Sequence, residues 1–132
     1  MFLLDTNICV YLMKNKYTEL SEKLLNSDHS EMAVSSITVY ELEYGVAKSQ
    51  WPERNRNNVR LFLAPFTIIP FDVNDAIMAG EIRHLLEKAG TPIGPYDLQI
   101  AAQGLARGFT VVTHNTGEFS RVPNLQLTDW IV

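Results

Sequence analysis

The chain reads as an α/β domain, a three-layer α/β/α sandwich around a mostly parallel central sheet. Three observations predict this. Short apolar runs recur at the start of Met1–Asn7, over Met32–Ser36, over Phe66–Phe71 and over Phe109–Thr113, too far apart for hairpins. Between them lie segments whose apolar residues repeat at helical spacing. Strands alternating with helices bury both faces of a parallel sheet. With 132 residues, the chain can bury one real core and little more, so residues 1–132 are read as a single domain.

Phe2-Leu3-Leu4 forms a short buried strand that stops on Asp5, Thr6 and Asn7. A carboxylate at the carboxyl end of such a strand sits where open α/β sheets place ligand sites. Asn7 is expected to cap the next helix, which leaves Asp5 with no structural task beyond the turn. That helix runs from Ile8 to about Lys14 and ends at Asn15. A second helix, Tyr17–Leu25, turns Leu20, Leu24 and Leu25 inward, and Asn26–Glu31 is a polar loop.

After the Met32–Ser36 strand, Ile37–Ser49 is helical with Val39, Leu42 and Val46 on one stripe. Thr38 and Glu41 match a capping box, a structural reason for Glu41. Glu43 lies nearer the apolar stripe, and spacing leaves the choice between Glu41 and Glu43 open. Pro52 opens a helix over Glu53–Leu63 that carries Arg54, Arg56 and Arg60 opposite Val59, Phe62 and Leu63. Those arginines are the densest basic surface in the chain and a candidate RNA or partner contact.

The Phe66–Phe71 strand gives way to a helix capped by Asp72, roughly Val73–Ala89, with Ile77, Ile82, Leu85 and Leu86 facing in and Gly90 ending it. His84 has no second histidine at ligand spacing and is read as a surface residue. Gly94-Pro95 then starts a helix that is apolar nearly all round, hence buried. Asp97 lies in its first turn, where the helix dipole favours a carboxylate by about 0.3–1 kcal/mol. The Phe109–Thr113 strand ends in His114, Asn115 and Thr116, with Glu118 soon after. Leu125-Gln-Leu reads as a short final strand.

Asp5, one of Glu41 or Glu43, Asp97 and the Asn115–Glu118 segment all follow a strand or begin a helix, so the fold can gather them at one sheet edge. Clustered carboxylates raise one another's pKa, and a hard divalent cation resolves the repulsion. Magnesium suits so sparse a set, and it can polarise a phosphoryl oxygen and activate a water. The formal net charge of −4 offers no global attraction for nucleic acid, so a polyanionic partner needs a cation or a local basic patch. A single cysteine, Cys9, excludes an internal disulfide and is read as a packed apolar residue. No signal-like or membrane-spanning stretch is found, which points to the cytoplasm and away from a membrane.

Four segments in order carry a resemblance: Leu-Leu-Asp-Thr-Asn at the start, Ser-Ile-Thr-Val-Tyr-Glu-Leu-Glu-Tyr-Gly, Ile-Gly-Pro-Tyr-Asp-Leu-Gln-Ile-Ala-Ala, and Val-Val-Thr-His-Asn-Thr-Gly-Glu-Phe. The chain resembles PIN-domain ribonucleases, and more closely the VapC toxins of bacterial VapBC toxin–antitoxin pairs, from Met1 to Asp129-Trp130. The resemblance implies that Asp5, Glu41 and Asp97 bind Mg²⁺, or Mn²⁺, and so selects Glu41. Many PIN domains carry an aspartate where this chain has Asn115, and Glu118 is the acid offered in its place as a fourth catalytic group. Thr6, Asn7, Thr113 and Asn115 would orient the carboxylates or bind phosphate. It further implies cleavage of RNA, with initiator tRNA cut in its anticodon loop as in enteric relatives, and a homodimer. The partner implied is a VapB-type antitoxin that inserts a basic side chain into the site, and operator DNA is met only through that antitoxin.

Two other classes compete. A phosphatase of the haloacid-dehalogenase type needs an acid two residues after Asp5, where Asn7 stands, and a receiver needs paired acids and a late lysine that are absent. A non-catalytic binding module would tolerate Asn115, but the three core acids are intact.

Overall fold

The computed structural model describes residues 1–131. Its sheet has five strands in the order β3-β2-β1-β4-β5, namely β1 Phe2–Leu4, β2 Met32–Ser35, β3 Thr67–Ile69, β4 Thr110–Val112 and β5 Gln126–Thr128. Every pairing is parallel, so the mostly parallel sheet of the sequence reading is wholly parallel. The strands are shorter than the apolar runs. Pro70, for instance, lacks an N–H and cannot continue β3.

Alternation along the strands sorts the core into two layers. Leu3, Ala33 and Val111, side by side in register, pack with Ile82 and Leu86 of α5 (Val73–Lys88) and with Ile100 and Ala101 of α6 (Pro95–Arg107). Leu4, Val34 and Val112 face the other way, onto Ile8 and Cys9 of α1 (Thr6–Met13) and Leu20 of α2 (Thr18–Leu25). The same layer takes in Leu42 of α3 (Ser36–Ala47) and Val59 of α4 (Pro52–Leu63). Each fully buried aliphatic side chain contributes about 1.5–3 kcal/mol. Cys9 is one of these packed residues, and burial pushes its thiol pKa well up. Within the first layer, α6 comes close to β4 at Gly104, where an added Cβ would stand 2.7 Å from a Val111 methyl.

Several local readings are corrected. Helix α1 begins at Thr6 and is capped by Asp5, not Asn7: Asp5 Oδ1 accepts from the Ile8 N–H at 2.8 Å, while Asn7 is already helical and exposed. Ser35 caps α3 by accepting from the Ile37 N–H, so the Thr38–Glu41 capping box does not form. Leu25 is 77% exposed, since Leu20 and Leu24 already take the inner face of α2 and the next position turns outward. On α5 the buried line is Asp75, Ala79, Ile82 and Leu86, which leaves Ile77 and Leu85 on the outer side. The Asn26–Glu31 loop contains a turn of 3₁₀ helix at His29–Glu31. Among the described residues no helix is long and apolar enough to cross a membrane.

The chain starts in the middle strand, builds β2 and β3 to one side, then crosses over to β4 and β5 on the other. The β1/β4 boundary is therefore the switch point of the sheet, and its carboxyl edge is where such folds bind ligands.

Candidate active site

Beyond the last strand residues the ladder continues for one step. The Asp5 N–H donates to the Val112 carbonyl at 3.1 Å, and the Thr113 N–H donates to the Thr128 carbonyl at 3.0 Å. Asp5, Thr113 and Asp129 thus stand side by side at the carboxyl edge, each directly after its strand. Asp5 and Thr113 are buried and polar, a costly state without partners. The Thr113 hydroxyl accepts from the Asn115 N–H at 3.0 Å and bears on the Asp5 carboxylate.

Glu41 reaches the same place from α3. Thr6 Oγ1 donates to Glu41 Oε1 at 2.7 Å and lies 3.0 Å from the hydroxyl of Thr38, which is fully buried. Glu43 points elsewhere and meets Arg56 of α4 at 3.4 Å, both exposed. The two glutamates that spacing left undecided therefore separate: Glu41 faces the carboxyl edge and Glu43 the flank.

Asp97 comes from the first turn of α6, whose Pro95 holds the first helical position. That helix start is fixed from across the site, because Glu118 Oε1 accepts from the Gly94 N–H at 2.8 Å. The other Glu118 oxygen accepts from Asn115 Nδ2 at 2.7 Å, and these two bonds hold its pKa below the usual range. Glu118 is thus a clamp between the α6 start and the turn after β4, with both oxygens engaged.

Electrostatics tie the acids together. Burial lifts the Asp5 carboxyl to about 6, against the pull of hydrogen bonds from Thr113 and Ile8, and the charges of Glu41 and Asp129 add to the rise. Asp97 is also lifted to about 6, first by burial and then by Asp5, Glu118 and Glu41. Two carboxyls titrating near neutrality at one sheet edge mark a place where charge is gathered and unneutralised.

Among the described residues no three acidic, histidine or cysteine side chains converge tightly enough to enclose an ion unaided. The donors are all hard oxygens and few, which fits a divalent cation of the magnesium type that keeps several waters, and not a closed calcium cage. Asp5, Glu41 and Asp97 are the groups that could hold it.

The other expected residues fall differently. Asn7 is exposed in the first turn of α1. Arg54, Arg56 and Arg60 are exposed along α4. Sequence reasoning overlooked Thr38, Asp129 and the pairing of His114 Nδ1 with Asp129 Oδ2 at 2.8 Å. Asp129 was detectable by the rule that flagged Asp5, since it directly follows β5.

The PIN domain family matches residues 2–125 of the chain. The chain is 44% identical over 129 residues to the tRNA(fMet)-specific endonuclease VapC of Salmonella typhimurium, covering 98% of this chain and 97% of that protein. It is 41% identical over 130 residues to ribonuclease VapC2 of Rickettsia felis, covering 98% and 97%. A crystal structure of DNA-bound VapBC from Salmonella typhimurium superposes with a TM-score of 0.92 at 44% identity, covering 98% of this chain and 97% of that one.

Proposed function

The chain belongs to the PIN-domain family, and from that premise we propose that it is the endoribonuclease toxin of a VapBC-type toxin–antitoxin pair, acting on tRNA in the cytoplasm. Relatives named as tRNA(fMet)-specific endonucleases support initiator tRNA as the substrate. The observation that supports the reading is that Asp5, directly after β1, and Asp97, in the first turn of α6, are both acids raised in pKa by burial beside the β1/β4 switch point, with Glu41 of α3 among the charges that act on each.

In this reading Asp5, Glu41 and Asp97 hold Mg²⁺, or Mn²⁺ in its place. Such an ion, when bound, lowers the pKa of an attacking water and polarises the phosphoryl oxygen. The chain's own groups keep the ligands in place. Ile8 N–H and the Thr113 hydroxyl aim Asp5, Thr6 aims Glu41, and Glu118 pins the helix start that carries Asp97. Glu118 contributes to activity through that clamp. Thr113 and Asn115 act through the same turn, and Asn7 and the α4 arginines are left as points where an RNA backbone could rest.

Structures related to this chain are of VapBC complexes, some bound to DNA. A VapB-type antitoxin is therefore the cognate partner we propose, with a homodimeric toxin and with operator DNA contacted through the antitoxin. An arginine or lysine of the antitoxin would neutralise the same acids as the metal.

The test is cleavage of labelled initiator tRNA by the purified chain with Mg²⁺, Mn²⁺ or EDTA. Metal-dependent cuts that vanish in a folded Asp97→Asn protein are expected. Undiminished cleavage in EDTA, or by Asp97→Asn, would overturn the assignment.

A further inference from the structure

Beside Glu41 lies an open cleft of about 690 Å³ lined by Thr6, Tyr40, Glu41, Tyr44, Lys48 and Tyr96. Its aromatic rings are not core residues. Tyr40 is 54% exposed, Tyr44 60% and Tyr96 39%. Tyr40 and Tyr96 meet edge to face with centroids 5.5 Å apart and their hydroxyls 3.1 Å apart, a bridge from α3 to α6 at the mouth of the acid site. Tyr40, Tyr44 and Lys48 follow one another at intervals of four along α3, so they form one line on the helix surface. The Lys48 ammonium sits 4.8 Å from the centre of the Tyr44 ring and has no carboxylate partner among the described residues.

Gly45 lies in the middle of this helix and lines the same cleft. Glycine weakens a helix interior relative to other residues, so a packing reason is usually found for it. Here none exists: a Cβ at Gly45 would meet nothing within 4 Å. What the glycine does is keep the floor of the cleft bare.

An open aromatic wall, a bare floor and an unpaired cation on an otherwise acidic chain suit one ligand chemistry. An unpaired nucleobase stacks on tyrosine faces whatever its identity, and the adjoining phosphate pairs with a lysine. We propose that this cleft is a subsite that stacks an unpaired base of single-stranded RNA on Tyr44 and the Tyr40–Tyr96 pair, with Lys48 holding the neighbouring phosphate. The inference rests on the reading of the chain as a ribonuclease and names the form of substrate. A duplex keeps its bases stacked on each other and gains nothing from the tyrosines.

Binding and cutting are measured apart. Every variant is built on Asp97→Asn, and a short fluorescein-labelled single-stranded RNA and an RNA duplex of equal length are titrated by anisotropy in Mg²⁺. Tyr44→Ala should weaken the single-stranded probe about tenfold, as loss of a stacking platform does, and leave the duplex unchanged, while Tyr44→Trp restores binding. Lys48→Ala should weaken the single strand and flatten its salt dependence. Gly45→Leu should fill the cleft and weaken the single strand with a melting temperature no lower than its parent's. Equal single-strand affinity in Tyr44→Ala and Gly45→Leu would overturn the subsite, including the case where the cleft receives an antitoxin segment in place of RNA. An equal loss on both probes would overturn stacking as its basis. Cleavage by the unsubstituted chain, scored separately, tells whether the ribonuclease reading stands when the subsite falls.

Discussion

The Thr6 hydroxyl donates to Glu41 Oε1 at 2.7 Å, and through that bond the first residue of α1 sets the direction of an acid that lies 35 positions further on. The same hydroxyl touches Thr38, so one threonine joins the start of α1 to the first turn of α3.

Thr6→Val keeps the shape of the side chain and removes the donor. Glu41 would then be free to swing toward solvent, and RNA cleavage should fall about 10- to 100-fold, the usual effect of losing a group that orients a metal-binding side chain. Thermal stability without metal should drop by about 1 kcal/mol. Cleavage and melting curves on the same preparation check both, and cleavage equal to that of the parent would show that Thr6 does not position Glu41.

Glu41→Gln and Glu43→Gln should differ sharply. The first is expected to abolish the rise in melting temperature on adding Mg²⁺ or Mn²⁺ and to cut activity about 100-fold or more. The second loses only an exposed contact to Arg56, 3.4 Å long, and should change stability by less than about 0.5 kcal/mol. A thermal shift that survives Glu41→Gln but not Glu43→Gln would reverse the assignment.

How the two glutamates became distinguishable shows what the sequence could carry. The central strands were legible because Phe2-Leu3-Leu4 and Thr110-Val111-Val112 are apolar runs bounded by polar turns, and burial on both faces demands such runs. Asp5 and Asp97 were legible as carboxyl-edge acids for the same reason. The direction of Glu41 was not, because it depends on a hydroxyl from a different helix, and helical periodicity knows nothing of neighbours. The misplaced caps have a related cause: Asp5, Asn7, Ser35 and Thr38 can all cap, and the backbone angle at the strand end chooses among them. Asp75, on which helical spacing is silent, is buried in α5 and bonded to Gln103 and Arg107 of α6. Burial alone would lift its carboxyl, but those partners and the Asp72 N–H together hold it below the usual range.

Stability should depend on pH through Asp5 and Asp97. Both titrate near 6 in the folded chain, above the ordinary 3.8. The folded state therefore binds those protons more tightly than the unfolded chain does. The stability they contribute is fully present below about pH 4 and is lost as the pH rises through about 6. In EDTA, Asp5→Asn should exceed its parent by about 2–3 kcal/mol at pH 7.5 and match it near pH 4, since asparagine can still accept from Ile8. Urea midpoints at the two pH values measure this. A deficit for Asp5→Asn at pH 7.5 would show that the buried charge is not a strain on the fold.

Asn115→Asp sets a carboxylate against Glu118, where the amide now donates at 2.7 Å. Without metal the protein should lose about 1–3 kcal/mol, and added Mg²⁺ should restore more of that loss than it stabilises the parent. Denaturation with and without Mg²⁺ decides. If the substitution is neutral in EDTA, the Asn115–Glu118 bond does not hold the turn.

Gly104→Ala should be among the most damaging small changes away from the site, at about 1–3 kcal/mol, because its methyl would meet Val111 at 2.7 Å. Val111→Ala in the same chain should relieve part of it. A double-mutant cycle reads the coupling, and strictly additive losses would place the clash elsewhere.

The position of β1 at the centre of the sheet governs when the acid site can assemble during synthesis. Leu4 pairs with Val34 on one side and with Val112 on the other, and the second partner leaves the ribosome about a hundred residues after the first strand. Until then the edge that carries Asp5 is open, the turn bearing Thr113 and Glu118 does not exist, and α6 has nothing to pin its start. A nascent chain thus lacks the Thr113 contact to Asp5 and the Glu118 clamp on α6 for nearly the whole of its translation, and a message cut short before β4 encodes an incomplete site. Parallel pairing over such separations is slow to form, which leaves an interval between release of the chain and assembly of the site.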